Sequence, residues 1–156
     1  MALDPLRTFA AVLALVLMAA AGPARADGQE QYANLCSGCH QANGSGVAGM
    51  FPPLASRLGP WFATPEGREY VAQVVLNGRY GDLIIDGQTY SGFMPTFGHL
   101  ENQQIADILN YVAQDLNPPV KSFEPYSAEA IAKYKASPKR DAALMKLRNS
   151  LPGGGS

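Results

Sequence analysis

The stretch Cys36-Ser37-Gly38-Cys39-His40 contains both cysteines of the 156-residue chain and one of its two histidines. Two thiols at this spacing suit addition to the two vinyl groups of a single haem, and the adjacent histidine then presents an imidazole to the iron. This C-x-x-C-H pattern is typical of covalent haem attachment. It predicts that Cys36 and Cys39 form thioether bonds to one haem c and that His40 is an axial iron ligand.

Three other interpretations of the two cysteines compete with this one, and the sequence disfavours each of them. A zinc site needs four ligands, and His99 is the only other histidine available to complete one. A redox-active dithiol of the thioredoxin type would follow a strand and begin a helix, whereas Cys36 lies near the end of a predicted helix. A disulfide would close a very short loop, add little stability and leave His40 unexplained.

The segments around this motif carry clear signals for helix ends and for one turn. Thr64-Pro65-Glu66 is a typical helix start, and Asn77-Gly78 a typical helix stop. Asp86-Gly87 between β-prone residues predicts a tight hairpin, and Pro118 ends the last apolar helical stripe. The predicted elements, in chain order, are a helix over about 28–38, a loop over 41–64, a helix over 65–77, a hairpin over 83–90 and a helix over about 101–116.

The second axial ligand has to come from a side chain far along the chain, and a thioether sulfur suits low-spin haem iron. Met94 is the predicted ligand, because it lies in a loop between the hairpin and the last helix and is followed by Pro95. Met50 is the main rival, but only ten residues separate it from His40, which leaves little chain to reach the opposite haem face. His99 is a third candidate. Arg57, Trp61 and Arg79 are candidates for contact with the haem propionates.

Gly28, Tyr32, the motif at 36–40, Met94-Pro95 and the apolar stripe at 105–112 together resemble class I cytochrome c over about residues 27–117. The resemblance implies an all-α fold, with three main helices around one covalent haem, a small hairpin before the Met94 loop and a partly helical C-terminal tail. It also implies that Gly28 and Tyr32 lie where the first helix crosses the last, near Tyr111. A proline carbonyl after the motif would accept a hydrogen bond from His40, and Pro53 is preferred to Pro52 for this role.

The same resemblance implies an electron-transfer protein rather than an enzyme, cycling Fe(III)/Fe(II) with no position left for a substrate. Its expected partners are redox proteins: a periplasmic dehydrogenase as donor and an oxidase or reductase as acceptor. Two alternatives remain: an obligate haem subunit of a dehydrogenase complex that docks through the basic tail, and a ligand-binding or peroxidase-like haem protein.

The N-terminal region predicts export. An apolar run of about 13 residues from Phe9 is followed by Ala24-Arg25-Ala26, which indicates a signal peptide over 1–26 cleaved after Ala26. Such a run is shorter than the roughly 20 residues of a spanning helix, so membrane attachment is expected only if the signal is retained. The mature protein is therefore predicted to be periplasmic.

Charge divides the predicted mature chain into two parts. Residues 27–120, the predicted haem domain, hold three basic and nine acidic side chains, a net charge of −6. Residues 121–156, a basic C-terminal extension, hold seven basic and three acidic ones, a net charge of +4. An acidic domain would repel phosphates, so no nucleic-acid partner is expected. Within the extension, Ser127 and Ser137 are the predicted caps of two short helices, and the last residues, 152–156, are expected to be disordered.

Overall fold

The computed structural model describes residues 24–155, so the predicted signal peptide lies outside it apart from its last three residues. The described part is mostly helical, with a single two-stranded antiparallel sheet. None of its helices is long and apolar enough to cross a membrane. In chain order the elements are α1 (Ala24–Leu35), α2 (Ser37–His40), α3 (Gly59–Phe62), α4 (Pro65–Asn77), β1 (Leu83–Ile85), β2 (Gln88–Tyr90), α5 (Asn102–Gln114), α6 (Ala128–Ala136) and α7 (Asp141–Asn149).

Helices α1 and α5 cross at a glycine. A side chain at Gly28 would clash with the carbonyl oxygen of Asp107, so the absence of a Cβ lets the two backbones approach closely. One turn further along, the rings of Tyr32 and Tyr111 pack with their centroids 5.3 Å apart. The crossing implied by the resemblance is confirmed, and it fixes the direction in which α1 leads into the Cys36–His40 motif.

We expect Gly28→Ala to lower the free energy of unfolding by about 1–3 kcal/mol, because the added methyl group has to push α1 away from α5. Gly38→Ala is the matched control, since a Cβ at Gly38 meets nothing within 4 Å. Guanidinium chloride unfolding of the haem-loaded variants, followed by circular dichroism, measures both effects. Equal stabilities for the two variants would show that the crossing tolerates a side chain.

Local chemistry explains the ends of α4 and the hairpin. The Thr64 hydroxyl accepts a hydrogen bond from the Gly67 amide at 3.1 Å, and Gly78 ends the helix with a φ of 73°. Asp86 and Gly87 have φ values of 51° and 77°, as a two-residue hairpin turn requires. The predicted positions of the helix and the hairpin are therefore confirmed. The short helix α3, by contrast, lies in the stretch expected to be a loop.

The C-terminal extension packs onto the domain through the side chain of Gln73, which is fully buried in α4. Its Nε2 donates to the carbonyls of Tyr134 and Ser137 at 3.1 and 3.0 Å, and its Oε1 accepts from the Lys139 amide at 2.8 Å. Tyr126 adds a hydrogen bond from its hydroxyl to the Arg68 carbonyl at 2.9 Å. One glutamine thus bonds three backbone groups, one in the last turn of α6 and two between α6 and α7, which holds the extension in place.

Two features of the extension differ from the sequence expectation. Ser127 caps α6 by accepting from the Ala130 amide at 3.2 Å, as predicted, but α7 begins after Arg140 rather than after Ser137. Residues 152–155 form a turn instead of a disordered end, and the Pro152 carbonyl accepts a hydrogen bond from the Trp61 indole at 2.8 Å. This glycine-rich segment is held in place by contacts with residues that lie more than 60 positions away in the sequence.

Oppositely charged residues of the domain and the extension also meet. Arg68 of α4 pairs with Glu124 at 2.9 Å, and Glu69 pairs with Lys139. Lys135 donates to the Leu100 carbonyl at 2.7 Å. Part of the basic charge predicted to attract partners is therefore directed toward the domain itself.

Candidate functional site

The cysteine and histidine side chains of the motif are presented by the short helix α2. Cys36 precedes α2, and its carbonyl accepts hydrogen bonds from the amides of Cys39 and His40 at 3.2 and 2.9 Å. Gln41 then adopts a φ of 65°, which turns the chain away immediately after the histidine. Cys36 is half-buried and Cys39 exposed, so the two thiols lie at the margin of the interior.

His40 is buried and oriented by a backbone carbonyl. Its Nδ1 lies 2.9 Å from the Pro52 carbonyl oxygen, and since a carbonyl can only accept, Nδ1 carries the proton. Burial lowers the pKa of His40, and the hydrogen bond to Pro52 opposes that effect only partly. The imidazole is therefore neutral near pH 7, with its Nε2 lone pair free, which is the form that binds metals.

The partner of His40 is Pro52, so the assignment of this role to Pro53 was wrong. The backbones of Val47 and Phe51 pair through two hydrogen bonds of 2.8 Å, which close a tight loop ahead of the prolines. Gly46 lies against the carbonyl groups of Phe51 and Pro52, where a side chain would clash. This close approach turns the Pro52 carbonyl toward His40.

The Met94 loop is fixed to the end of α4. Met94 and Arg79 exchange two backbone hydrogen bonds, of 2.9 and 3.0 Å. The Thr96 hydroxyl donates to the Leu76 carbonyl at 2.6 Å, and the Phe97 amide donates to the Val75 carbonyl at 2.9 Å. A residue that sequence reasoning could only assign to a loop thus has a defined backbone position.

Both cysteines, His40 and Met94 line one cavity with mostly apolar walls. The residues around the cavity surround about 1290 Å³ of space, counting the part open to solvent. Met50 also lines the cavity but is 54% exposed. His99 is exposed, stacks on Phe97 and is not among the lining residues.

The thiols do not resemble a redox-active dithiol. Burial and the neighbouring Cys39 raise the pKa of Cys36 to about 11, whereas the reactive cysteine of a thioredoxin-type pair has a lowered pKa. The thioredoxin interpretation is thus disfavoured. Within residues 24–155, no group of three or more His, Cys, Asp or Glu side chains is arranged to hold a metal ion, so the zinc interpretation finds no support there.

The polar side chains of the cavity, as well as its apolar walls, are suited to a haem. Arg57 and Arg79 are among its lining residues, and the buried Nε of each has no hydrogen-bond partner in the described part of the chain. The guanidinium carbon of Arg57 lies 5.7 Å from the centre of the Trp61 ring. Guanidinium N–H groups without a hydrogen-bond partner are suited to bind the propionate carboxylates of a haem. This is the role for which the sequence made Arg57 and Arg79 candidates.

Sequence reasoning missed one buried cation, which packs against β1 and is not among the residues that line the cavity. Arg148, on α7, is 3% exposed and donates through Nη2 to the Ile84 carbonyl at 2.5 Å. No local pattern distinguishes it from the other basic residues of the extension. Its burial depends on contacts with β1, 64 residues away.

Comparison with known proteins gives one family and several relatives. The family model for cytochrome c matches residues 25–115. A cytochrome c-552 of Thermus thermophilus is 39% identical over 127 residues, which cover 80% of this chain and 85% of that protein. A second Thermus thermophilus cytochrome c-552 is 41% identical over 114 residues, covering 72% of this chain and 86% of that protein.

A different class of relative shares the domain within a longer chain. The cytochrome c subunit of a quinone alcohol dehydrogenase from Gluconacetobacter polyoxogenes is 35% identical over 98 residues. That match covers 62% of this chain but only 20% of the dehydrogenase subunit.

Proposed function

Because this chain belongs to the cytochrome c family and its cofactor is covalently bound haem c, we propose that it is a one-electron carrier with His40 and Met94 as axial iron ligands. Cys36 and Cys39 are the proposed attachment points. The observation that carries the proposal is that these four side chains line one largely apolar cavity. In the proposed arrangement, three main helices, α1, α4 and α5, surround the haem.

Each of these side chains has a distinct part in the proposal. The Pro52 carbonyl orients the His40 ring and increases its basicity as a ligand. The backbone pairing of Met94 with Arg79 holds the thioether loop in one place, so the ligand set need not rearrange when the charge on the iron changes. The apolar walls keep water from the iron. Haem c supplies the Fe(III)/Fe(II) couple that stores the electron.

With His40 and Met94 both holding the iron, no coordination position would be left for a substrate, and His/Met ligation would raise the reduction potential relative to harder ligands. These properties favour electron transfer over catalysis. The proposal includes export by a signal peptide over 1–26, a haem domain over 27–120 and an extension over 121–156. The proposed partners are a periplasmic dehydrogenase as electron donor and an oxidase or reductase as acceptor.

A second candidate is an obligate haem subunit of a dehydrogenase. The observation in its favour is the similarity to cytochrome c subunits of quinone alcohol dehydrogenases over 98 residues. Size-exclusion chromatography of the natively expressed holoprotein separates the two roles, because a free carrier elutes as a single chain and an obligate subunit co-elutes with its partner.

The central test is spectroscopic and potentiometric. Purified holoprotein is expected to show covalent c-type bands, the near-infrared charge-transfer band of methionine sulfur on ferric haem, and a redox titration that fits one electron. It is also expected not to bind carbon monoxide readily in the reduced state. High-spin iron that binds carbon monoxide at once would contradict the electron-carrier role and support a ligand-binding or peroxidase-like function.

A further inference from the structure

Two loops that serve the two proposed iron ligands are in contact with each other. The Met94 loop, residues 91–97, carries the proposed thioether ligand, and the Pro52 loop, residues 47–53, carries the carbonyl that orients the His40 ring. A backbone hydrogen bond joins them, from the Ser91 amide to the Gly49 carbonyl at 3.1 Å. The position of the Met94 loop is therefore tied to the loop that supports the other ligand.

Next to this hydrogen bond, the lack of a side chain at Gly92 lets the two backbones approach closely. A Cβ at this position would overlap the Met50 carbonyl oxygen and would lie 3.2 Å from the Phe51 ring. Because the overlapping atom belongs to the backbone, no rotation of a side chain could relieve the clash. The φ of Gly92 lies outside the left-handed region, so alanine is excluded here by lack of space rather than by backbone conformation.

The other side of Met94 is held by the end of α4. Arg79 and Met94 exchange two backbone hydrogen bonds, and a Cβ at Gly78 would lie 2.6 Å from the Met94 carbonyl oxygen. Only Phe93 separates Gly92 from Met94. Since Met94 is fixed by backbone contacts on both sides, a displacement at Gly92 has to be passed on to the ligand.

We propose that Gly92 is a positioning residue for Met94. By leaving room for the Met50 carbonyl, it lets the Met94 loop lie close enough to the Pro52 loop for the thioether to remain on the iron. Gly92 and Met50 line the same cavity as Met94, in agreement with this role. The proposal rests on the His40/Met94 ligation proposed above.

A side chain at position 92 should therefore act on ligand exchange at the iron. When added imidazole binds the ferric haem, the iron–sulfur bond breaks, an iron–nitrogen bond forms, and the Met94 loop becomes free to move. In Gly92→Ala that movement relieves the overlap with the Met50 carbonyl, so the strain is present in the methionine-ligated form and absent from the imidazole form. The exchange equilibrium then shifts toward imidazole by the strain released.

The test measures how tightly ferric holoprotein binds imidazole, followed by loss of the near-infrared methionine-sulfur band, together with denaturant unfolding of the same samples. Gly38→Ala is the matched control, because Gly38 also lies two residues before a proposed ligand and a Cβ there meets nothing within 4 Å. We expect Gly92→Ala to bind imidazole about five- to a hundredfold more tightly than wild type, as the usual strain of an added methyl group in a packed site implies. Gly38→Ala should bind it as wild type does.

A Gly92→Ala variant that is less stable but binds imidazole as wild type does would overturn the proposal, because the glycine would then serve packing alone. An equal change in Gly38→Ala would overturn it too. Failure of the underlying ligation gives a different result, since wild-type protein would then lack the methionine-sulfur band.

Should Gly92→Ala not fold, hydrogen exchange of the wild-type amides decides. A contact that favours Met94 ligation must be weakened by the same factor when imidazole displaces the thioether, because coupling is reciprocal. The Ser91 amide should then exchange at least about fivefold faster with imidazole bound. The Ser56 amide, which donates to the Leu116 carbonyl at 2.9 Å, should keep its rate. An unchanged rate for the Ser91 amide would overturn the proposal.

Discussion

Met94→Ala is expected to abolish the near-infrared methionine-sulfur band and to convert the ferric haem from low spin to high spin. The thioether is the only soft ligand that the Met94 loop presents to the cavity, and alanine leaves that side of the iron open to water or added carbon monoxide. The potential should fall by on the order of 0.2 V, within the range of about 0.8 V that axial ligands span.

Met50→Ala provides the control for this result, since Met50 lines the same cavity but is 54% exposed. We expect that variant to keep the methionine-sulfur band and nearly the wild-type potential. The loops that carry Met50 and Met94 are in contact, since the Ser91 amide donates to the Gly49 carbonyl at 3.1 Å. The comparison therefore tests two methionine sulfurs that belong to adjoining loops. Loss of the band in Met50→Ala and its retention in Met94→Ala would reverse the ligand assignment.

Ile131→Ala is expected to destabilise the holoprotein by about 2–5 kcal/mol, measured from denaturant unfolding followed at the haem absorption band. Ile131 is fully buried in the core that α6 shares with the domain. The missing atoms leave a cavity between elements held by the hydrogen bonds of Gln73, so the site can collapse only partly. Lys133→Ala, an exposed position on the same helix, should change the stability by less than about 0.5 kcal/mol.

Equal stabilities for the Ile131 and Lys133 variants would show that the extension does not belong to the cooperative unit. The expected difference also bears on the role of the extension in partner binding. Deleting residues 121–156 would remove the docking surface together with buried core residues, among them Tyr126 and Leu144. A loss of binding would then have two causes, the missing surface and the damaged core. Exposed lysines such as Lys133 and Lys146 are the better positions at which to test docking.

Most of what could be predicted from the sequence depends on neighbours within a few residues. The spacing of Cys36, Cys39 and His40 determines which side chains one haem could reach. Thr64-Pro65 and Asp86-Gly87 carry their helix-start and turn preferences wherever they occur, and both positions are confirmed. The acidic domain and basic extension were likewise visible from composition alone.

Only the tertiary structure decided the features that depend on distant parts of the chain. Pro52 rather than Pro53 faces His40, in a loop whose backbone is held by the Val47–Phe51 pairing and by the close approach of Gly46. Residues 152–155 form a turn, and Arg148 is buried, through contacts with segments more than 60 residues away. Local preference determines which elements form, whereas packing determines which carbonyl faces His40, which cation is buried and where the chain end lies, because these features depend on the space left by elements remote in sequence.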